Sequence, residues 1–100
     1  MNYEEHLTEI LGYGIEKFGY LQARKYFNLI SHLVEELDVY YAYHPECRHL
    51  ATKSRMYRNI VLDSHLIIYR ITDQRIEVLD IIHSASSIRK IRNSRNIRIF

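Results

Sequence analysis

Histidine, arginine and tyrosine offer most of this chain's chemistry, and most of it falls in the second half. His83 is followed by Ser84, Ser86 and Ser87. An imidazole beside hydroxyls has the groups for general acid–base work, or simply closes a strand and touches a partner. His44, Cys47 and His49 are spaced H-x2-C-x-H. Imidazole and thiolate suit zinc, but a structural site takes four such ligands, and nothing brings His65 or His83 to complete it. An ordinary surface loop is the better account of the spacing, so no metal site is expected. Arg58, Arg70 and Arg75, with Lys53 and Arg55 upstream, interleave with Tyr57 and Tyr69. Such a strip suits phosphates and stacked bases, and also describes a solvated sheet face. Glu77 and Asp80 fall on opposite faces of their strand, which argues against a paired-carboxylate mechanism. The chain has no serine-hydrolase elbow, Walker loop or dinucleotide fingerprint, and no cofactor is expected.

The net charge of +2 hides a gradient. Residues 1–46 carry three basic and eight acidic residues, and residues 47–100 carry eleven and four. After Asp80 there is no acid, while Arg89, Lys90, Arg92, Arg95 and Arg98 follow. The second half therefore suits an anionic partner, nucleic acid or an acidic protein segment, unless it is a solvated tail. One cysteine, Cys47, fits a reducing cytoplasm. No apolar run of about eighteen residues suggests a membrane span.

These groups are positioned by elements that the apolar spacing predicts. Residues 57–62, 65–71 and 75–82 read as three strands. Asp63-Ser64 is a two-residue turn between the first two, and Thr72-Asp73-Gln74 joins the second to the third. Connections this short make an antiparallel meander. Asn2 with Glu5 reads as a helix start, and the stripe Tyr3, Leu7, Ile10, Leu11, Ile15, Phe18 predicts a helix over about 2–18. Gly12 and Gly14 weaken it or admit a close neighbour, and Gly19 ends it. A second helix is expected over about 20–43, stopped by His44-Pro45. Tyr40, Tyr41 and Tyr43 at its end suit either an interface or packing on the sheet. Residues 44–56 read as a loop with room for a helical turn, and residues 84–100 as a basic tail, whether helical, an added strand or partly disordered. The expected fold is one α+β domain over residues 1–100, with a helical hairpin packed on a three-stranded antiparallel sheet.

In order, the EKFG helix end, QARKYF, HPE, the basic KSRMYR, the strand IIYRI and the strand IEVLDIIH resemble the RelE/ParE superfamily of toxins from bacterial type II toxin–antitoxin modules. The resemblance covers about residues 3–92. It implies a cytoplasmic toxin of a plasmid-stabilising, growth-inhibiting module, neutralised by a cognate antitoxin that wraps round it. Tyr40, Tyr41 and Tyr43 are candidates for that contact, and a homodimer is open. The target would be DNA gyrase, or ribosome-bound messenger RNA if the protein is an endoribonuclease. Arg58 and His83 are then the catalytic candidates, and Lys53, Arg55, Arg70, Arg75, Arg89, Lys90 and Arg92 the contacts to target or nucleic acid.

Three departures bear on the choice. The family usually opens with a strand before the first helix, so either a strand has been lost upstream or a sheet edge is left for a partner. The messenger-cleaving branch carries an arginine at about Leu66 or Ile67, which is missing here. That branch also has basic residues after the last strand and a late tyrosine. Here Ser84-Ala85-Ser86-Ser87 follows instead, and no tyrosine comes after Tyr69. His83 matches the gyrase-directed branch, without the arginine and aspartate that usually come next. The expectation is a gyrase-directed toxin, with a messenger endoribonuclease or a degenerate, non-toxic binding module as alternatives.

Overall fold

The computed structural model describes residues 2–99. Helix α1 spans Asn2–Phe18, with Glu4 and Glu5 in its first turn and Lys17 in its last, the arrangement the helix dipole favours. Gly19 follows at φ 86°, in the left-handed region that glycine enters without strain. Its N–H donates to the Ile15 carbonyl at 3.0 Å, and helix α2 starts at once, over Tyr20–Glu35. A one-residue joint forces an antiparallel hairpin. The helices meet closely at Gly14, where a Cβ would lie 3.3 Å from that of Ala23.

The second helix is shorter than its apolar stripe suggests. It breaks at Glu36 (φ −81°, ψ −3°) and resumes only as the short α3, Leu37–Tyr40. Leu37 is the last buried residue there, while Val39, Tyr40, Tyr41 and Tyr43 stand in solvent. A helix end without packing gains little from extending, and Pro45 closes the option.

Strands β1 (Tyr57–Val61), β2 (His65–Ile71) and β3 (Ile76–His83) form the antiparallel meander in the order β1-β2-β3. Asp63-Ser64 makes the first turn, closed by Leu62 N–H to the His65 carbonyl at 2.9 Å. The second is closed by Thr72 N–H to the Arg75 carbonyl, also at 2.9 Å. Between β2 and β3 the register slips by one: Ile68 faces Asp80, but Tyr69 faces Val78. Leu79 is the extra residue of a bulge. The outer edge of β1 is covered by residues 45–47, through Cys47 N–H to the Tyr57 carbonyl and Asn59 N–H to the Pro45 carbonyl.

Both faces of the sheet are buried, which explains strands that are apolar almost throughout. One face, with Ile60, Ile67, Tyr69 and Ile81, packs on Leu7, Ile30 and Leu37 of the helices. The other, with Ile68, Leu79 and Ile82, is covered by Cys47, Leu50 and Ile91. These come from a 3-10 turn at Arg48–Leu50 and from helix α4, Ile88–Asn93, so the basic tail is folded. Ser87 caps α4, its Oγ accepting from Lys90 N–H at 3.2 Å. A further 3-10 turn, Ser94–Asn96, follows.

Candidate functional site

His83 is the last residue of β3, and the bulge sets it opposite His65, the first of β2. Their rings meet edge to face, centroids 5.5 Å apart. The Tyr26 hydroxyl of α2 lies 2.8 Å from His65 Nδ1. Ala85 N–H donates to His83 Nδ1 at 3.1 Å, so the proton of the neutral ring sits on Nε2. Burial and the neighbouring His83 push the His65 pKa down, and burial raises that of Tyr26. The three side chains border a cleft of about 660 Å³ between the hairpin and the sheet, lined by Leu7, Ile10, Phe18 and Phe27 among others. Three residues back along β3, His6 of α1 meets the buried Asp80, Nδ1 to Oδ1 at 2.5 Å.

Arg58 lies elsewhere. It pairs with Tyr69, four residues along β2 from His65, which is about 13 Å at strand spacing. Its Nη1 donates to the carbonyls of Ala42 at 3.1 Å and His44 at 2.9 Å, and its Nε to Arg55 at 3.3 Å. The two catalytic candidates therefore do not share a site. Beside Arg58, Tyr69 is fully buried, donates to the Tyr41 carbonyl at 2.6 Å, and has its pKa raised by burial to about 12, against the pull of Arg58.

Of Arg70 and Arg75, both expected on an open basic face, Arg70 is half-buried and Arg75 stays exposed, but both are tied down. They clamp Glu77, with Nη2 of Arg70 and of Arg75 each 2.7 Å from a Glu77 oxygen. Burial works to raise the Glu77 pKa, but the two guanidiniums prevail and lower it. Arg70 also donates to the Arg95 and Ile97 carbonyls at 3.2 and 3.1 Å, and Arg75 to the Ile99 carbonyl, which pins the chain's end to the sheet. Lys53, Arg55, Arg89, Lys90 and Arg92 remain exposed. Glu77 belongs to this clamp and Asp80 faces α1, so the two carboxylates do not converge.

Tyr40 and Tyr43 border a smaller concavity of about 210 Å³ with Leu33, Glu36 and His44. Tyr43 is 81% exposed. Cys47 is a core residue, its thiol pKa raised by burial, and among the described residues no three His, Cys, Asp or Glu side chains converge on a point that could hold a metal. No helix among the described residues is long and apolar enough to cross a membrane.

The hairpin-on-meander architecture is the one the sequence resemblance implied. A comparison with curated protein sequences finds no match. The family model described as ParE toxin of type II toxin-antitoxin system, parDE, matches residues 2–88. Membership implies a cognate antitoxin as partner. With most of its length matched, the chain belongs to the ParE toxin family of type II toxin–antitoxin systems, within the RelE/ParE superfamily.

Proposed function

We propose that this toxin acts in the cytoplasm by binding DNA gyrase, and is held inactive there by its antitoxin. The observation that carries this reading is the commitment of Arg58. Phosphodiester cleavage needs a cation free to meet developing charge, close to an acid–base pair. Arg58 is anchored to backbone carbonyls through Nη1 and Nε and lies at the far end of the sheet from His83. A toxin that arrests a protein target needs only a surface. Exposed Tyr40 and Tyr43, beside their concavity, suit the antitoxin contact, because tyrosine buries apolar area while keeping one polar tip satisfied.

A supercoiling assay with purified gyrase tests this directly. Inhibition that persists in His83→Ala is the expected result. Ribosome-dependent message cleavage, lost in Arg58→Ala or His83→Ala, would reverse the assignment. One observation favours that second reading: Tyr26, His65 and His83 form a connected cluster at a cleft and bring acid–base groups together without Arg58. Growth arrest on expressing the isolated gene would eliminate a non-toxic module. Tyr40→Ala with Tyr43→Ala is expected to weaken antitoxin binding by about 2 kcal/mol, measured by calorimetry.

A further inference from the structure

The segment that follows β3 repeats in triplets: Ile88-Arg89-Lys90, Ile91-Arg92-Asn93, Ser94-Arg95-Asn96, Ile97-Arg98-Ile99. The structure gives this period a geometry. Ile88 is exposed, but from the second triplet on the first position turns inward: Ile91 and Ser94 are buried and Ile97 half-buried, while every arginine in the second position is exposed. Arg89, Arg92 and Arg95 lie on consecutive turns of α4 and the 3-10 turn after it. Side chains three apart share one helical face, about 5–6 Å between Cβ atoms, and in a 3-10 turn they eclipse. Arg98, just past the 3-10 turn, and Lys90, on another side of α4, are exposed nearby. We propose that this outward arginine row is a binding site for nucleic-acid phosphates.

Three features support the assignment. First, the row is unneutralised. Among the described residues none of these five side chains has an acidic partner; Glu77 is held by Arg70 and Arg75, and Asp80 by His6. Second, the backbone beneath it is fixed. The carbonyls of Arg95, Ile97 and Ile99 point inward to Arg70 and Arg75, which leaves the guanidiniums outside on an ordered frame and lowers the ordering cost of binding. Third, four of the five cations are arginine, whose planar fork pairs bidentately with phosphate oxygens. A regular row of like forks matches a polymer of regularly spaced phosphates better than an acidic peptide, whose carboxylates follow its own sequence. Nothing in the row reads bases, so the binding is indifferent to sequence.

The test is fluorescence anisotropy of the full-length protein with a labelled DNA duplex of about 20 base pairs, titrated from about 50 to 200 mM salt. Four phosphate contacts predict a slope of log K against log salt of about −3 to −4, hence about a 100-fold loss of affinity over that range. Arg92→Gln and Arg95→Gln should each make the slope shallower by about 0.9, while Lys17→Gln on the hairpin leaves it unchanged. In the parent protein, the duplex should shield Arg89, Arg92, Arg95 and Arg98 from phenylglyoxal. That readout needs no variant to fold. No binding at the lowest salt, equal loss with Lys17→Gln, an unshielded row, or tighter binding to polyglutamate than to the duplex would each overturn the proposal. Gyrase inhibition and antitoxin binding are measured separately, so failure here leaves those readings standing.

Discussion

Arg58 satisfies carbonyls left over where the second helix frays, and that sets what its removal does. Arg58→Ala strands the His44 carbonyl and should cost about 1–2 kcal/mol, read as a fall of several degrees in Tm, whatever the target. Activity lost in this variant is therefore informative only beside a melting curve. Ser94 is the opposite case. It occupies an inward position that two neighbouring triplets fill with isoleucine, it is 2% exposed, and its hydroxyl has no partner among the described residues. Ser94→Ala removes an unsatisfied polar group and should raise stability by about 1 kcal/mol in a denaturant titration; a loss of that size would show the hydroxyl to be bonded. At this scale the sequence identified residue types but not their commitments. Arg70 and Arg75 look like free cations in one dimension. Only the return of the chain's end over the sheet shows that they hold it down.

At the scale of elements, the apolar period was a good guide where packing is continuous and a poor one where it stops. The three strands, their two turns and the hairpin follow from spacing alone. The second helix does not reach Tyr43, because nothing buries its apolar residues beyond Leu37. The bulge at Leu79 had no warning, and it decides the cleft: with the register of Tyr69 and Val78 continued, His65 would face Ile82 instead of His83. The tail after His83 was left open between helix, strand and disorder, because its period of three is neither a strand's nor an ideal helix's. The two glycines of α1 make a clean comparison. Gly12 has open space where a Cβ would go, so Gly12→Ala should stabilise by about 1 kcal/mol. Gly14→Ala must displace Ala23 and should gain less or lose; equal gains in Tm would show that the hairpin has slack at this contact.

Across the whole molecule the pH response joins the elements. His65 faces Tyr26 and His83, with Asp63 close to Tyr26, and its lowered pKa means that the folded state favours the neutral ring. His44 is lowered by burial as well. The unfolded chain then binds more protons below the ordinary value of 6.5, so stability falls as pH drops from there. Glu77 acts lower down. Its depressed pKa contributes stability above the ordinary 4.5, which is lost as pH falls through the folded value and the Arg70 and Arg75 contacts lapse. Thermal melts at neutral, mildly acid and strongly acid pH should show two successive drops, the first reduced in His65→Gln. A flat profile between neutral and mildly acid pH would mean that the histidine cluster is wetter than its geometry indicates.

The covering of the second sheet face by α4 and the 3-10 turn at Arg48–Leu50 has a practical corollary. Ile68, Leu79 and Ile82 owe their dryness to a short strap that two guanidiniums hold in place. A protease that nicks behind His83, or a recombinant version shortened there, would unveil that greasy flank while the hairpin side stayed intact. Such a product should clump rather than unravel, retaining its strands while dropping out of solution.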